Sequence, residues 1–248
     1  MPSRLAFVTG TSSGIGSALL GGLLSGGWHV IGASRRTPAR AHEAYEHLEI
    51  DLADPAMAPA VEQRLVERLR ERPWSRIGLV NNAAHAGAPG PLERASLADT
   101  ARAHAVNVAA PMWLMGLFVR LTPRDTPLRI VNVSSGAARQ VVPGLAAYCS
   151  SKAALRMAGM VLAAELQSRQ RNTPAPRDTA ILSYEPGVVE TPMQQAARGA
   201  SRDEFPWVDL FLGFKEQGIV VEPERPAAEI LAFLEGSAPV FSERRLGG

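Results

Sequence analysis

Short apolar runs alternate with longer helix-compatible segments along most of this chain. The apolar runs end in Gly, Ser, Asn or Pro, as strands that lead into loops do, and they lie at 5–10, 29–34, 47–51, 77–83, 129–135 and 179–187. The segments of helical length and composition between them are 14–26, 55–71, 96–120 and 147–170. This order predicts an α/β fold, with a parallel sheet covered by helices on both faces.

A single domain spanning 1–248 is expected, because no Pro/Gly/Ser linker and no internal repeat divides the chain. The segment RNTPAPRD (171–178) is expected to be a surface loop rather than a domain boundary. The alternation stops at about 192–222, which predicts an insertion in the substrate region. That insertion is either a flap over a pocket or a locally packed excursion, and its large aromatic residues are Phe205, Trp207, Phe211 and Phe214.

Composition narrows the functional class. The formal net charge is +2, and basic pairs such as Arg35-Arg36 are too short for a nucleic-acid patch. The single cysteine, Cys149, excludes an internal disulfide framework. Without a long apolar N-terminal stretch or an uninterrupted apolar run of membrane length, we expect no signal peptide and no membrane span. We therefore expect a cytoplasmic protein. His42 and His47 lack further ligands at metal-binding spacing, so we expect no metal site.

The first predicted strand runs directly into a glycine-rich turn, Thr9 to Gly16, and then into a helix. The glycines follow G-x-x-x-G-x-G rather than the commoner G-x-G-x-x-G. Small residues let the backbone approach a pyrophosphate, and a helix N-terminus offers free N–H groups. Steric packing alone also produces such turns, but the position after the first strand favours dinucleotide binding. The candidate contacts are Gly10, Ser12, Ser13, Gly14, Ile15 and Gly16.

The end of the second strand predicts which dinucleotide binds. An NAD site usually places a carboxylate there to hold the ribose 2′-OH, whereas this chain has Ser34-Arg35-Arg36 and no acid until Glu43. Because guanidinium groups match a 2′-phosphate, NADP(H) is favoured over NAD(H), with two plain surface arginines as the alternative. Asp51, which ends the third strand, either accepts a hydrogen bond from the adenine amino group or caps the next helix.

Tyr148 and Lys152 lie one helical turn apart in an Ala-rich segment, although the chain has only three tyrosines and two lysines. A neighbouring ammonium group is expected to lower the pKa of the phenol toward neutrality. Such a phenol can donate a proton to a carbonyl oxygen as hydride arrives on its carbon. Ser135, thirteen residues upstream, is expected to bind the same oxygen. Asn107 is expected to orient Lys152 directly or through water.

Taken together, these motifs resemble the short-chain dehydrogenase/reductase family, in the family's order and over nearly the whole chain. The matching segments are TGTSSGIG (9–16), DL (51–52), NNAA (81–84), Asn107, NVSS (132–135), YCSSK (148–152) and PGVVET (186–191). The resemblance implies a Rossmann-type doubly wound sheet and a catalytic tetrad of Ser135, Tyr148, Lys152 and Asn107.

The resemblance also implies further cofactor contacts. Lys152 would bind the nicotinamide ribose, and Asn82 and Ala83 would flank the adenosine. The remaining implied contacts are Leu52, Pro186, Gly187, Val188 and Thr191. A homodimer or homotetramer using the helices around 96–120 and 147–170 is implied as well.

Within the family, EPGVVETPMQQAAR (185–198) is similar to sepiapterin reductase and bacterial benzil reductases, which reduce vicinal dicarbonyl or α-hydroxycarbonyl compounds with NADPH. Glu185 and Met193 are therefore the candidate substrate contacts. Glu185 is unusual before Pro-Gly, and it either binds a cationic substrate group or faces solvent. The sequence departs from the family pattern at two other places. Ala84 follows Asn82-Ala83 where the family usually has a glycine, and the next residue, His85, has no familiar role. The C-terminus lacks the acidic strand end with which sepiapterin reductases hold a pterin.

These features predict an NADPH-dependent carbonyl reductase acting on a small-molecule ketone or vicinal dicarbonyl, with Tyr148 as general acid. One alternative is an alcohol dehydrogenase working in the oxidative direction. The other is an NADP-binding sensor without turnover, which would be expected to lack Ser135, Tyr148 or Lys152. Cys149 is expected to pack within its helix rather than act as a nucleophile.

Overall fold

The computed structural model describes residues 3–38, 41–170 and 177–248. Within these ranges seven strands form one sheet in which every neighbouring pair is parallel, in the order β3-β2-β1-β4-β5-β6-β7. The strands are β1 (Arg4–Thr9), β2 (Trp28–Ser34), β3 (Tyr45–Glu49), β4 (Arg76–Asn81), β5 (Leu128–Val133), β6 (Thr179–Glu185) and β7 (Phe241–Arg245). The predicted parallel α/β sheet is confirmed, and the six predicted strands correspond to β1–β6.

Helices cover both faces of the sheet. They are α1 (Gly14–Ser25), α2 (Ala58–Glu71), α3 (Leu97–His104), α4 (Ala110–Leu121), α5 (Ala146–Gln170), α6 (Pro192–Arg198), α7 (Val208–Glu216) and α8 (Glu224–Glu235). The helix predicted at 96–120 is divided, because a π-helical turn at Ala105–Ala109 separates α3 from α4. The helix predicted from residue 55 begins with a 3₁₀ turn, Pro55–Met57, capped by the Asp54 carboxylate.

Two apolar cores lie on opposite faces of the sheet. Alternate strand residues face opposite ways, so Phe7 packs edge-on against Phe118 of α4 on one face, with ring centroids 5.7 Å apart. On the other face Val8 and Val131 join the core formed with α1 and α8. Because both faces are buried, the strands read as continuous apolar runs rather than as alternating ones.

The continuous helical run Leu97–Leu121 is long and apolar enough to cross a bilayer by length and composition alone. Its buried residues Leu114, Leu117 and Phe118 belong to the core between the helices and the sheet. A core helix passes the same test of length and composition, so this segment gives no separate argument for a membrane.

The segment predicted as an insertion contains α6 and α7. Three of its residues, Phe205, Val208 and Phe211, form a small third core against Val142 and Leu145. Residues 142–145 connect the end of β5 to Tyr148, so the insertion packs on the stretch that leads to the predicted general acid.

The C-terminal part differs from the sequence-based outline in one respect. Helix α8 was not among the predicted helices, although it contacts α1 and its Ile230 and Leu234 are buried in the second core. The last strand, β7, is five residues long and pairs with β6 through Glu185 and Arg245. Most of the loop predicted at 171–178 lies outside the described residues.

Candidate active site

The strand order reverses between β1 and β4, and this point lies beside the glycine-rich turn. In an open parallel sheet, the crevice at the carboxyl ends of the strands at such a point is where ligands bind. Ser135 follows β5 and Pro186 follows β6 at the same edge. The topology therefore brings the predicted cofactor and catalytic residues to one side of the sheet.

The glycine turn fits a pyrophosphate for steric reasons visible in the structure. Gly10 and Gly14 have φ of +75° and +54°, which disfavour any side chain. A Cβ on Gly16 would overlap the carbonyl oxygen of Gly10, so this glycine lets α1 pack against the turn. Ser13 precedes α1 without a side-chain cap, and the first N–H groups of the helix remain available for an anion.

Asn82, which directly follows β4, stabilises the glycine turn by hydrogen bonds. Its Nδ2 donates to the carbonyl oxygens of Thr9 and Gly10, at 2.9 and 3.2 Å. The backbone N–H groups of Asn82 and Ala83 both donate to Thr9 Oγ1 at 3.0 Å. Residues 82 and 83 thus set the shape of the turn as well as lying beside it.

Arg35 and Arg36 lie directly after β2, and both side chains are exposed. Ser34 Oγ donates to the carbonyl oxygen of Arg36 at 2.8 Å and so orders the start of this loop. Within the described residues, neither guanidinium group has a hydrogen-bond or ion-pair partner.

Asp51 has partners of its own. Its Oδ1 accepts from the backbone N–H of Ala53 at 2.9 Å, and its Oδ2 accepts from Arg102 at 2.6 Å. Burial opposes ionisation, but these hydrogen bonds prevail and lower the pKa of the carboxyl. The expectation that Asp51 caps a helix is wrong, because Asp54 caps the following turn. Leu52, next to it, is buried.

Ser135 and Tyr148 meet through their side chains. Ser135 caps the short 3₁₀ turn Gly136–Ala138, where its Oγ accepts from the N–H of Ala137 at 3.2 Å. Tyr148 lies in the first turn of α5 and forms a side-chain hydrogen bond with Ser135. Two predicted catalytic hydroxyls are therefore adjacent, in reach of one oxygen atom.

Lys152 is buried beside the same phenol, with its Nζ 5.6 Å from the Tyr148 ring centroid. The ammonium donates to the carbonyl oxygen of Val133 at 2.8 Å. Burial lowers the pKa of Lys152 to about 8, since a desolvated ammonium group favours its neutral form.

The expected pKa of Tyr148 is wrong. Burial raises the pKa of Tyr148 to about 12, and the hydrogen bond with Ser135 only partly offsets this effect. Lys152 donates to the carbonyl oxygen of Val133, and among the described residues no cation hydrogen-bonds the phenol oxygen to offset this desolvation. The phenol is consequently protonated at neutral pH.

Asn107 lies inside the π-helical turn, a feature frequently found at functional sites. Its Oδ1 accepts from the N–H of His85, and its Nδ2 donates to the carbonyl oxygen of His85 and to Ser151 Oγ, at 2.8, 2.8 and 2.9 Å. Ser151 in turn donates to the carbonyl oxygen of Tyr148. Among the described residues the Asn107 side chain has no bond to Lys152, so the expected direct contact is not made.

His85 gains a partner that the sequence did not suggest. Its Nε2 lies 2.7 Å from Asp99 Oδ1, while Asp99 Oδ2 accepts from the N–H of Ala88 at 2.6 Å. The hydrogen bonds to Ala88 and His85 lower the pKa of Asp99. Asp99 is 14 residues away along the chain, and no motif marks it.

The loop after β6 reaches the glycine turn. A Cβ on Gly14 would lie 2.9 Å from Thr191 Cγ2, and Thr191 also caps α6. The N–H of Val221 donates to the carbonyl oxygen of Val188 at 2.9 Å. Pro186 is buried, Gly187 has a φ of +74°, and Met193 is half-buried in α6.

Glu185, at the end of β6, is buried and pairs with Arg139. The expectation that it faces solvent is therefore wrong. Arg139 directly follows the turn capped by Ser135, and sequence reasoning missed it because the two partners are 46 residues apart along the chain.

Comparison with known proteins agrees with this arrangement. A family model described as short chain dehydrogenase matches residues 4–201. A benzil reductase ((S)-benzoin forming) from Bacillus cereus is 30% identical over 240 residues, with 94% of each chain covered. Sepiapterin reductase from Mus musculus is 32% identical over 249 residues, covering 92% of this chain and 90% of the relative.

Among solved structures, a short-chain dehydrogenase/reductase from Burkholderia vietnamiensis superposes with a TM-score of 0.64 at 34% identity. It covers 79% of this chain and 89% of its own. The chain therefore belongs to the short-chain dehydrogenase/reductase family, a family of oxidoreductases that use a nicotinamide cofactor.

Proposed function

We propose that this protein is an NADPH-dependent carbonyl reductase in which Tyr148 is the general acid. The observation that carries the proposal is the contact between the Tyr148 and Ser135 side chains beside buried Lys152, at the same edge of the sheet as the glycine turn. The cofactor supplies the hydride when bound. The glycine turn, Asn82 and Lys152 are the groups that would hold it.

The chain's own groups handle the oxygen and the proton. Ser135 Oγ donates a hydrogen bond to the substrate carbonyl oxygen, which polarises the carbon for hydride attack. Tyr148 transfers its phenolic proton to that oxygen as negative charge develops there. The Lys152 ammonium, 5.6 Å from the phenol ring, stabilises the phenolate that remains.

The raised pKa of Tyr148 keeps the phenol in its protonated form at neutral pH. This is the form that donates a proton in carbonyl reduction. Alcohol oxidation, which uses the same residues in reverse, is the second candidate. The sensor alternative is disfavoured by the presence of Ser135, Tyr148 and Lys152 together.

The preference for NADPH rests on Arg35 and Arg36. Both are exposed after β2, and there is no acidic residue from 35 to 42 that would bind a ribose 2′-OH. Replacing both with alanine should raise the Kd for NADPH at least tenfold and change the Kd for NADH less than threefold. Fluorescence titration with both cofactors measures this, and equal losses for the two would contradict the 2′-phosphate assignment.

The proposed substrate class is a vicinal dicarbonyl with aromatic or other bulky groups. The similarity to benzil and sepiapterin reductases supports it. The insertion packs close to the proposed general acid, because Phe205 and Trp207 contact Gly144, four residues before Tyr148. A Cβ on Gly144 would lie 2.5 Å from the Phe205 ring.

An NADPH-oxidation screen tests the proposal. The panel consists of benzil, a small aliphatic 1,2-diketone, a pterin diketone and simple aldehydes. We expect kcat/KM to be highest for benzil and lowest for the aldehydes. If the protein binds NADPH but reduces none of these compounds, the carbonyl reductase assignment is ruled out.

A homodimer or homotetramer in the cytoplasm completes the proposal. Met112 on α4 and Met157 and Val161 on α5 are exposed apolar side chains on the two helices expected to pair. Light scattering coupled to size-exclusion chromatography should give a mass of two or four chains, and a monomer at micromolar concentration would contradict it.

A further inference from the structure

Four charged side chains form a continuous chain at the carboxyl edge of the sheet. Arg156 Nη2 donates to Glu243 Oε2 at 3.0 Å, and Arg139 Nη1 donates to the same oxygen at 3.5 Å. The second terminal nitrogen of Arg139 donates to Glu185. The four formal charges sum to zero, and each inner member is shared by two partners.

The chain of ion pairs joins the three segments that carry the proposed chemistry. Arg139 directly follows the 3₁₀ turn capped by Ser135, and Arg156 lies one helical turn after Lys152. Glu185 ends β6 immediately before Pro186. Side chains at alternate strand positions share a face, so Glu185 points to the same side of the sheet as Ile181, the side that α5 covers.

The pair between Arg139 and Glu185 is unequal in its exposure. The Glu185 side chain is only 9% exposed, whereas that of Arg139 is 46% exposed. A buried carboxylate is costly without a partner, while replacing both members of a buried pair is often nearly neutral for stability. Stability is therefore a weak reason for a carboxylate at this position.

We propose that Arg139 and Glu185 form a positioning pair that fixes the Ser135 turn relative to the loop after β6. The pair also neutralises Glu185 immediately before Pro186 and Gly187, which the family resemblance assigns to the cofactor. The inference rests on the proposed function for the identity of the reaction. Its electrostatic part concerns cofactor binding alone, because NADP⁺ carries a positive charge on the nicotinamide ring that NADPH lacks. Glu185 then acts through Arg139 rather than by binding a cationic substrate.

The test compares the two cofactor redox states in three variants. Arg139→Gln leaves the Glu185 carboxylate without its partner, so the ratio Kd(NADPH)/Kd(NADP⁺) should rise about tenfold. Glu185→Gln leaves Arg139 with excess positive charge, so the same ratio should fall. The double variant, R139Q/E185Q, should return the ratio to within about twofold of the unchanged protein.

Turnover provides the second readout. In R139Q, kcat for carbonyl reduction should fall about tenfold while KM stays within about twofold, since Ser135 is displaced rather than removed. Arg120→Gln is the matched control, because it breaks an exposed pair with Glu62 by the same chemical change. The control should leave the Kd ratio and kcat unaltered.

Opposite shifts of the Kd ratio in the two single variants support the positioning pair. Unchanged ratios in both, with normal thermal unfolding, would reduce it to a surface ion pair and overturn the proposal. If R139Q fails to fold, E185Q decides alone, since a merely structural role predicts no fall in the ratio. Because binding is measured without a carbonyl substrate, failure of the carbonyl reductase assignment is seen separately, as absent turnover in the unchanged protein.

Discussion

At the scale of single residues, burial determines the acid–base character of the site. Tyr148 and Lys152 are both desolvated, and desolvation favours the neutral form of each, which raises the pKa of the phenol and lowers that of the ammonium group. At neutral pH the phenol is therefore protonated, and it lies beside an ammonium group whose pKa of about 8 is close to the pH of the solution. This combination suits proton donation to a substrate oxygen.

Replacing Tyr148 with phenylalanine tests the general acid directly. The change removes the only proton donor assigned to the substrate oxygen, so kcat for carbonyl reduction should fall at least 10³-fold. The Kd for NADPH should change less than threefold. Stopped-flow and fluorescence binding measure the two quantities, and substantial turnover in the variant would show that another group donates the proton.

The pH dependence of reduction should follow Lys152 rather than Tyr148. The cation is present below its pKa of about 8 and is lost as the pH rises through that value, whereas the phenol remains protonated up to about pH 12. Hence kcat/KM should decline about tenfold per pH unit above pH 8. The measurement is kcat/KM from pH 6 to 10. Phenolate absorbance is followed over the same range, and the difference between the wild type and Tyr148→Phe reports the ionisation of Tyr148.

A phenolate signal from Tyr148 near pH 8 would contradict this assignment. It would instead favour the first expectation from the sequence, a phenol with a pKa near neutrality. His85→Gln serves as a control, because loss of that imidazole should leave the decline above pH 8 in place.

At the scale of elements, close approaches of backbone to backbone shape the cofactor side. The turn between β1 and α1 is held by Asn82 and Thr9, and Gly16 permits the contact between α1 and Gly10. The π-helical turn between α3 and α4 places Asn107 where it bonds both the loop after β4 and α5. Neither element carries a proposed reacting group, yet both orient the segments that do.

Gly16→Ala measures how much depends on that close approach. The added methyl group has no space beside the Gly10 carbonyl, so the turn must move. We expect a loss of about 2 kcal/mol in unfolding free energy and at least a tenfold rise in the Kd for NADPH. Chemical denaturation and fluorescence titration provide the two values.

Gly22→Ala is the matched control on the same helix, because its nearest neighbour would be a flexible leucine methyl group at 3.5 Å. That variant should retain NADPH binding and unfold at a similar denaturant concentration. Unaltered binding in the Gly16 variant would mean that the turn tolerates a wider helix–strand spacing.

At the scale of the whole molecule, the two edges of the sheet have different tasks. The proposed catalytic and cofactor-binding residues lie at the carboxyl edge. At the amino edge lies Arg129, whose fully buried guanidinium group donates two hydrogen bonds to the Asp178 carboxylate, at 2.8 and 2.9 Å. Arg129 also donates to the carbonyl oxygen of Gly236, which connects β5 to the end of α8. This network is far from Tyr148 along β5 and α5, so it is expected to affect stability alone.

Asp178→Ala should therefore lower the unfolding free energy by about 3 kcal/mol, because it leaves the Arg129 guanidinium buried without a counter-ion. The kcat of the folded variant should stay within about twofold of the wild-type value. Chemical denaturation and turnover per folded molecule test the separation, and a large fall in kcat would show that the two edges are coupled.

The sequence by itself determined the parallel sheet, the order of β1–β6 along the chain and the glycine turn, and it marked Ser135, Tyr148 and Lys152 as candidate catalytic residues. These features depend on local patterns, since strand burial, helix periodicity and residue spacing are written in consecutive residues. The tertiary structure decided the features that depend on distant contacts: the pairs of His85 with Asp99 and of Glu185 with Arg139, the packing of the insertion on residues 142–145, and the direction of the Tyr148 pKa. Desolvation and ion pairing depend on which segments enclose a group, and only the folded chain brings those segments together.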